Sequence, residues 1–171
     1  MREEAAGDGP RAALTILCWI GLVLCLASIG GAAELEDRDA QIQAYVDVWN
    51  TGELDRLDEL VASDFQRHAG PDESCRSLSD LRELIAQTRT IWKPLRITID
   101  DQMTTGDNGA FRGGFYGVHA EVGGVIEFPI MSMVRFANGL IAEEWIIGDN
   151  FLSLMVLGYE LVPPGFEIIG R

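Results

Sequence analysis

The chain has 171 residues, with 13 Lys and Arg against 27 Asp and Glu, so that its formal net charge is −14 and its isoelectric point is about 4.4. So much negative charge excludes a nucleic-acid binder that works through a basic footprint. With 47% hydrophobic and 23% charged residues, the composition is that of a globular protein, and the length suits one domain. The mean hydropathy of +0.10 is high for a chain this charged, which predicts that the apolar residues are concentrated in one segment.

An uncharged run from Ala12 to Ala33 holds this apolar surplus. It follows Arg2 and Arg11 and ends in small residues, which is typical of a secretory signal peptide over residues 1–33. The alternative is an uncleaved membrane anchor, because about 20 apolar residues are enough to cross a bilayer. We expect a periplasmic or secreted domain in the first case and a membrane-anchored domain outside the cytosol in the second.

The part of the chain after this leader has a single thiol. Cys18 and Cys25 belong to the leader, so Cys75 has no partner for a disulfide within the domain. The sequence places no base beside Cys75, which favours an unreactive loop thiol.

Three helices are predicted at the start of the domain. An i, i+3, i+4, i+7 pattern marks the first, and similar spacing marks a second, short helix that includes Val61. Ser77 and Asp80 form a capping box that begins the third. Residues 65–68 are interpreted as the approach to a turn at residues 70–72. The apolar positions of the helices are Ile42, Tyr45, Val46 and Trp49, then Leu54, Leu57, Leu60 and Val61, then Leu78, Leu81, Leu84 and Ile85.

A period-two pattern replaces the helical one after Lys93. Leu95, Ile97 and Ile99 alternate with polar residues and precede a turn at residues 106–109. Strands are also predicted over residues 110–121, 125–136 and 140–149, followed by a short helix over residues 151–157 and an irregular tail over residues 159–171. Strands joined by such short turns pair antiparallel.

Helices followed by a strand meander predict an α+β fold, a cone-shaped, curved antiparallel sheet packed against three N-terminal helices. Gly113, Gly114 and Gly117 fall within one strand, where glycine weakens pairing unless a bend or a close approach requires it. They indicate a curved wall, and a cone of this kind forms a pocket for a small apolar ligand.

Five segments, in this order along the chain, resemble the SnoaL-like polyketide (ester) cyclase family of the nuclear transport factor 2-like superfamily. They are YVDVWNTGELD at 45–55, DFQRH at 64–68, LRITIDD at 95–101, GVH at 117–119 and GLIAEEW at 139–145. The resemblance covers about residues 38–158 of a domain predicted over residues 34–158. It implies the nuclear transport factor 2-like cone, a cystatin-like α+β barrel. It also implies a pocket in which an acid or base removes a proton next to a carbonyl, so that the enolate closes a ring with no metal and no organic cofactor.

The resemblance gives candidate catalytic roles to His68, His119 and Asp149, and Glu144 is a further candidate for the acid or base. Other interpretations stay open: His68 as a turn histidine bonded to the backbone, His119 as an exposed strand-end residue, and Asp149 as the cap of the helix that follows. Ile146 stands where the family commonly has an aspartate, and the loop 120–124 is shorter than the family's. Both departures lower the expectation of the standard cyclisation.

The candidate substrate-binding residues are Trp145, Tyr116, Glu144 and Phe115. Alternation allows only one of Glu143 and Glu144 to face the cavity. Core packing is the alternative role for the tryptophan and the tyrosine, and the spacing of histidines and cysteines predicts no metal site.

Two functions follow as hypotheses. The first is an exported cyclase or isomerase that acts on a small apolar carbonyl compound. The second is a noncatalytic cone domain that binds a hydrophobic ligand or a protein partner, as a homodimer formed through the open sheet face. Neither involves nucleic acid, and a membrane is a partner only if the leader is not cleaved.

Overall fold

The computed structural model of the protein describes residues 38–70, 74–160 and 162. The predicted signal peptide and most of the predicted C-terminal tail lie outside the described residues. Within the ranges described, no helix is long and apolar enough to cross a membrane.

The helices of the structure match the predicted ones closely. Helix α1 is described over residues 38–51, and a 3₁₀ turn at Leu54–Arg56 leads into the single turn α2, Leu57–Leu60. Helix α3 spans Leu78–Ile91, and α4 spans Asn150–Val156. The predicted cap of α3 is present, because the Ser77 side chain accepts a hydrogen bond of 3.1 Å from the Asp80 N–H.

Six strands form one sheet in the order β2-β1-β6-β5-β4-β3. The strands are β1 (Val61–His68), β2 (Ser74–Cys75), β3 (Trp92–Thr105), β4 (Asn108–His119), β5 (Val125–Ala137) and β6 (Leu140–Gly148). Neighbours from β3 to β6 pair antiparallel, which confirms the predicted meander and the α+β fold.

Strand β1 corrects the sequence interpretation of its residues as helix end and turn. It pairs parallel with β6, and its register shifts between Val61 and Gln66. Along β1 the fully buried residues are Val61 and Phe65, four positions apart. This spacing imitates a helix, because the irregular register removes the period of two by which a strand is recognised. Cys75 likewise lies in a strand, β2, rather than in the predicted loop, and it is buried there.

Short turns connect the long strands of the meander. Asn138 and Gly139 have φ angles of 53° and 79° and join β5 to β6, as an Asn-Gly hairpin turn requires. The turn between β3 and β4 is shorter than the predicted one, because Asn108 and Gly109 are already paired in β4.

Strands β3 and β4 approach each other closely at Gly113. A Cβ atom at this position would overlap the backbone carbonyl of Thr98 on β3. The register of the two strands also shifts nearby, between Ile99 and Asp101. Gly113 therefore has the close-approach role that the sequence predicts for a strand glycine.

Helices and sheet bury an apolar core between them. Its most enclosed members include Ile42, Val48, Leu57, Phe65, Leu81, Ile85, Ile126, Val134 and Ile141. Among the described residues, only Ser132 and Glu144 are buried polar or charged side chains. Burial of a carboxylate costs free energy unless it is hydrogen-bonded, so the core around Glu144 must supply polar partners for it.

Candidate functional site

A cavity of about 220 Å³ lies in the core. It is lined by Tyr45, Val46, Trp49, Arg67, Ala69, Leu84, Thr88, Trp92, Ile97, Phe111, Phe115, Ile126, Phe128, Ile130, Glu144, Ile146, Gly148 and Ser153. Most of these side chains are apolar or aromatic, and Arg67 and Glu144 are the two charged ones. Small-molecule sites have this composition, an apolar wall with a few convergent polar groups.

The exposure of the lining residues shows which side of the cavity is open. Tyr45 and Glu144 are almost completely buried, whereas Thr88 of α3, Gly148 at the end of β6 and Ser153 of α4 are partly exposed. The Glu144 carboxylate therefore lies at the closed side of the cavity, and the ends of β6 and α4 border its more exposed side.

The carboxylate of Glu144 is the centre of the polar group. Oε2 accepts hydrogen bonds from the Tyr45 hydroxyl at 2.9 Å and from Arg67 Nε at 3.1 Å, and Oε1 accepts one from the Ser132 hydroxyl at 2.8 Å. The Glu144 side chain is 2% exposed. An ionised carboxylate offers about four acceptor sites, so three donors leave one site, on Oε1, for a ligand or a proton.

Strand pairing explains why these side chains meet. Arg67 of β1 lies opposite Glu144 of β6 in the parallel pair, so both side chains project from the same face of the sheet. Ser132 lies between Ile130 and Val134 on the inward face of β5, and Tyr45 belongs to the buried face of α1. The group thus depends on one helix and three adjacent strands.

Burial keeps the Tyr45 hydroxyl beside Glu144 in its protonated form. Desolvation, and then the negative charge of Glu144, raise the pKa of the Tyr45 hydroxyl well above its ordinary value of 10.0. Tyr45 is therefore a neutral hydrogen-bond donor at physiological pH. The Arg67 guanidinium carbon lies 5.6 Å from the centre of the Trp49 ring, and the Arg67 side chain is 12% exposed.

His68 is outside the cavity, which corrects its predicted place in the pocket. Its Nε2 lies 2.9 Å from Oε1 of Glu143, and its ring stacks on Trp145 with the ring centres 5.3 Å apart. His68 and Trp145 are 44% and 40% exposed. They share the outer face of the sheet with Glu143, because alternation along β6 sends Glu143 outward and Glu144 inward.

The outer carboxylate, Glu143, is held in its ionised form. Burial raises its pKa, but hydrogen bonds with His68 and Arg135, together with the charge of Arg135, outweigh this effect and lower the pKa below 4.5. Arg135 Nε donates to Oε2 at 2.9 Å. The cluster therefore has a structural explanation that involves no ligand.

His119 and Asp149 also lie outside the cavity lining. His119 shares the inward face of Phe111, but at the strand end its ring meets the edge of Trp92, with the ring centres 5.1 Å apart. Its Nδ1 accepts from the backbone N–H groups of Glu121 and Val122 at 3.3 and 3.4 Å. Asp149 is the N-cap of α4, the alternative role considered for it from the sequence.

The four predicted substrate-binding residues divide between the two faces. Glu144 and Phe115 line the cavity, and the Phe115 ring stacks on Phe128 at 5.0 Å. Trp145 and Tyr116 do not line it, and Tyr116 instead lies under the guanidinium of Arg96 at 5.6 Å. Ile146, at the position of the family's aspartate, is part of the apolar wall.

Sequence reasoning missed Tyr45, Arg67 and Ser132 as site residues. The sequence pattern could have identified Ser132, because it is a polar residue at an inward position of a strand, and a buried hydroxyl needs a hydrogen-bond partner. The signal for Tyr45 is weaker, a polar hydroxyl on an otherwise apolar helix face. The sequence gives no signal for Arg67, since the strand that orients it was not predicted.

The described parts of the chain contain no group of three or more His, Cys, Asp or Glu side chains that could hold a metal ion. Cys75 lies away from the cavity lining, and burial raises the pKa of its thiol. Its Sγ donates to the Ser77 carbonyl oxygen at 3.4 Å. The polar side chains that line the cavity include a carboxylate, a guanidinium and hydroxyl groups.

The family model of the SnoaL-like polyketide cyclases matches residues 40–155. A comparison with functionally curated proteins gave no match. Among solved structures, the chain is similar to IdmH of Streptomyces antibioticus, to which a polyketide cyclase activity is attributed, with 26% identity, a TM-score of 0.63, and coverage of 71% of this chain and 98% of that one.

Two more distant structures share the fold. A SnoaL-like protein of Jannaschia sp. CCS1 is 12% identical with a TM-score of 0.67, covering 74% of this chain and 95% of its own. A LEH-like epoxide hydrolase of M. tuberculosis is 11% identical with a TM-score of 0.62, covering 72% and 91%. Because the family model covers most of the cavity-forming domain and the fold agrees, the chain belongs to the SnoaL-like polyketide cyclase family.

Proposed function

We propose that the protein is an exported acid–base catalyst of the cyclase or isomerase type, which acts on a small apolar carbonyl compound with Glu144 as the proton acceptor. The observation that carries the proposal is a single carboxylate at the closed side of an apolar cavity, 2% exposed and with one acceptor site left. Membership in the polyketide cyclase family and the similarity to IdmH support the same reaction class.

The reaction begins with a proton transfer within the cavity. Oε1 of Glu144 takes a proton from the carbon next to the ligand's carbonyl, and the electrons of the broken C–H bond form an enolate. In a cyclisation the enolate carbon bonds to a second carbonyl carbon of the same molecule, and the resulting alkoxide recovers the proton from Glu144. In an isomerisation the proton returns to a different carbon. Neither route consumes an oxidant or a cofactor.

The neighbouring groups keep the carboxylate in place during this transfer. Tyr45 and Ser132 donate to different oxygens of Glu144, which fixes the plane of the carboxylate relative to the cavity. The apolar wall lowers the local dielectric, so the charge of Arg67 acts strongly on any negative charge beside it. These residues are positioning and electrostatic groups, and Glu144 alone moves the proton.

The size of the cavity limits the ligand. Pockets for drug-sized molecules measure roughly 300–1,000 Å³, whereas this one measures about 220 Å³. A ligand with one or two small rings is therefore the appropriate size for the cavity.

The test is deuterium exchange at the carbon next to the carbonyl of 2-tetralone, followed by proton NMR in D₂O. We expect the protein to accelerate exchange and Glu144→Gln to lose roughly 10²- to 10⁴-fold of the acceleration, the usual contribution of a positioned acid or base. Glu143→Gln is the matched control, because it removes the adjacent carboxylate from the outer face. His68→Ala and His119→Ala should keep full activity, and circular dichroism verifies that every variant is folded.

Two outcomes would overturn the assignment. Full exchange by a folded Glu144→Gln protein would remove Glu144 as the proton acceptor. Tight binding of apolar ketones without any exchange would favour the noncatalytic ligand-binding function instead.

Export rests on the leader predicted over residues 1–33. Expression of the full chain with alkaline phosphatase fused after residue 160 tests it, since the phosphatase is active only outside the cytosol. A mature mass that lacks the leader supports cleavage, and an intact mass in the membrane fraction supports the anchor. An inactive fusion in the cytosol contradicts both.

A further inference from the structure

We propose that Arg67 determines which ligands enter the site, by binding the two oxygens of a neutral 1,3-dicarbonyl compound, and that the cavity rejects carboxylates. This inference rests on the proposed function, because it assigns a ligand chemistry to the same cavity. It adds a specificity-determining residue that differs from the proton acceptor.

The first observation is the unused end of the Arg67 guanidinium. Its Nε donates to Oε2 of Glu144 at 3.1 Å, and the planar group lies over the Trp49 ring. In the described chain, no side chain or carbonyl accepts a hydrogen bond from Nη1 or Nη2 of Arg67, although the residue lines the cavity. The two nitrogens present a pair of parallel N–H groups, a geometry that matches two oxygens on one planar ligand.

The second observation is the charge balance of the cavity. Arg67 and Glu144 are its only charged lining residues among those described, and their charges cancel. A carboxylate ligand would add a third, uncompensated charge in an apolar surround, which is strongly unfavourable. A neutral ligand leaves the balance unchanged.

The balance also holds during the proposed reaction. When Glu144 takes a proton, its negative charge disappears and an equal charge forms on the ligand's oxygens. Because the ligand oxygens lie on the same guanidinium, Arg67 keeps one negative partner before and after the transfer. A 1,3-dicarbonyl ligand spreads the new charge over both of its oxygens, which the two N–H groups stabilise together.

The experiment measures binding at pH 7 by isothermal titration calorimetry with three probes of similar size. Benzoylacetone is a neutral 1,3-diketone, 4-oxo-4-phenylbutanoate is an anion, and butyrophenone has a single carbonyl. We expect benzoylacetone to bind at least about 10-fold more tightly than either of the others, since each hydrogen bond to a charged donor contributes measurably. Equal or tighter binding of the anion by the wild-type protein would overturn the charge argument.

Two variants separate the parts of the inference. Arg67→Lys keeps a positive charge but loses the pair of parallel N–H groups. It should weaken benzoylacetone binding by roughly 10- to 100-fold, while the affinity for butyrophenone changes little. Arg96→Lys is the matched control, because its guanidinium also lies 5.6 Å from an aromatic ring, that of Tyr116, outside the cavity lining. Unchanged benzoylacetone binding by a folded Arg67→Lys protein would exclude binding of the two ligand oxygens by the parallel N–H groups of Arg67.

Glu144→Gln provides an independent measurement that needs no change at Arg67. It leaves the guanidinium without a counter-charge, so the preference should reverse and the anion should bind more tightly than to wild type. Failure to gain affinity for the anion would contradict the charge balance. Loss of deuterium exchange in the same variant concerns the proposed function alone, so the two proposals can fail separately.

Discussion

The hydroxyl of Tyr45 is the part of the buried polar group that can be removed with the least change in shape. Tyr45→Phe deletes one donor from Oε2 of Glu144 and leaves Arg67 Nε as the remaining donor to that oxygen. Hydrogen bonds to charged groups contribute about 1.5–3 kcal/mol, and Tyr45 is 1% exposed, so water does not replace the lost donor. We expect a loss of stability in this range, which corresponds to a fall in Tm of roughly 4–10 °C.

Urea denaturation followed by tryptophan fluorescence measures this loss, with Tyr116→Phe as the matched control. Tyr116 lies outside the cavity lining with its ring under Arg96, so its hydroxyl has no comparable role, and its loss should change stability by no more than about 0.5 kcal/mol. Equal stabilities of Tyr45→Phe and Tyr116→Phe would refute the buried hydrogen bond as a source of stability.

The pH dependence of stability, compared between the wild type and Tyr45→Phe, gives a second readout. Burial and the charge of Glu144 raise the pKa of Tyr45 in the folded protein, so above pH 10.0 the unfolded chain releases this proton while the folded one keeps it. Wild-type stability therefore contains a contribution that is complete below pH 10.0 and decreases above it. Tyr45→Phe lacks this dependence, so the stability difference between the two proteins should shrink as the pH rises above 10.0. A constant difference would contradict the protonated, buried tyrosine.

Gly113→Ala should destabilise the protein by more than about 1 kcal/mol, because its Cβ would overlap the backbone carbonyl of Thr98. Gly114→Ala is the control, because its Cβ would meet only a side-chain oxygen at 3.3 Å. Equal urea midpoints of the two variants would contradict this. Glu143→Gln should be less stable than wild type above pH 4.5, and this loss of stability should disappear as the pH falls below that value. The reason is that burial raises the pKa of Glu143 less than its hydrogen bonds and the charge of Arg135 lower it. A loss of stability that does not depend on pH in thermal melts would refute the ion pair. The homodimer expected through the outer sheet face should dissociate in Met131→Glu, since Met131 is 65% exposed there; light scattering that finds a wild-type monomer would exclude it.

The sequence predicted the elements whose pattern is local. The buried face of α1, the cap of α3 and the Asn-Gly turn depend on residues that are neighbours along the chain, and all are present in the structure. Strand β1 was missed because its register shift spaces Val61 and Phe65 like residues of a helix. Local patterns fail where tertiary pairing sets the geometry.

For the site, strand alternation alone implies that Glu143 and Glu144 face opposite sides of one strand, since alternation is a property of the extended chain. Which of the two is buried depends on how the sheet packs against the helices. Arg67 is 77 residues from Glu144 along the chain and meets it through the parallel pairing of β1 with β6. The same pairing sends His68 to the outer face, because a shift of one residue exchanges the two faces of a strand. The register of a pair of distant strands, which no local pattern encodes, thus brings Arg67 rather than His68 to the cavity.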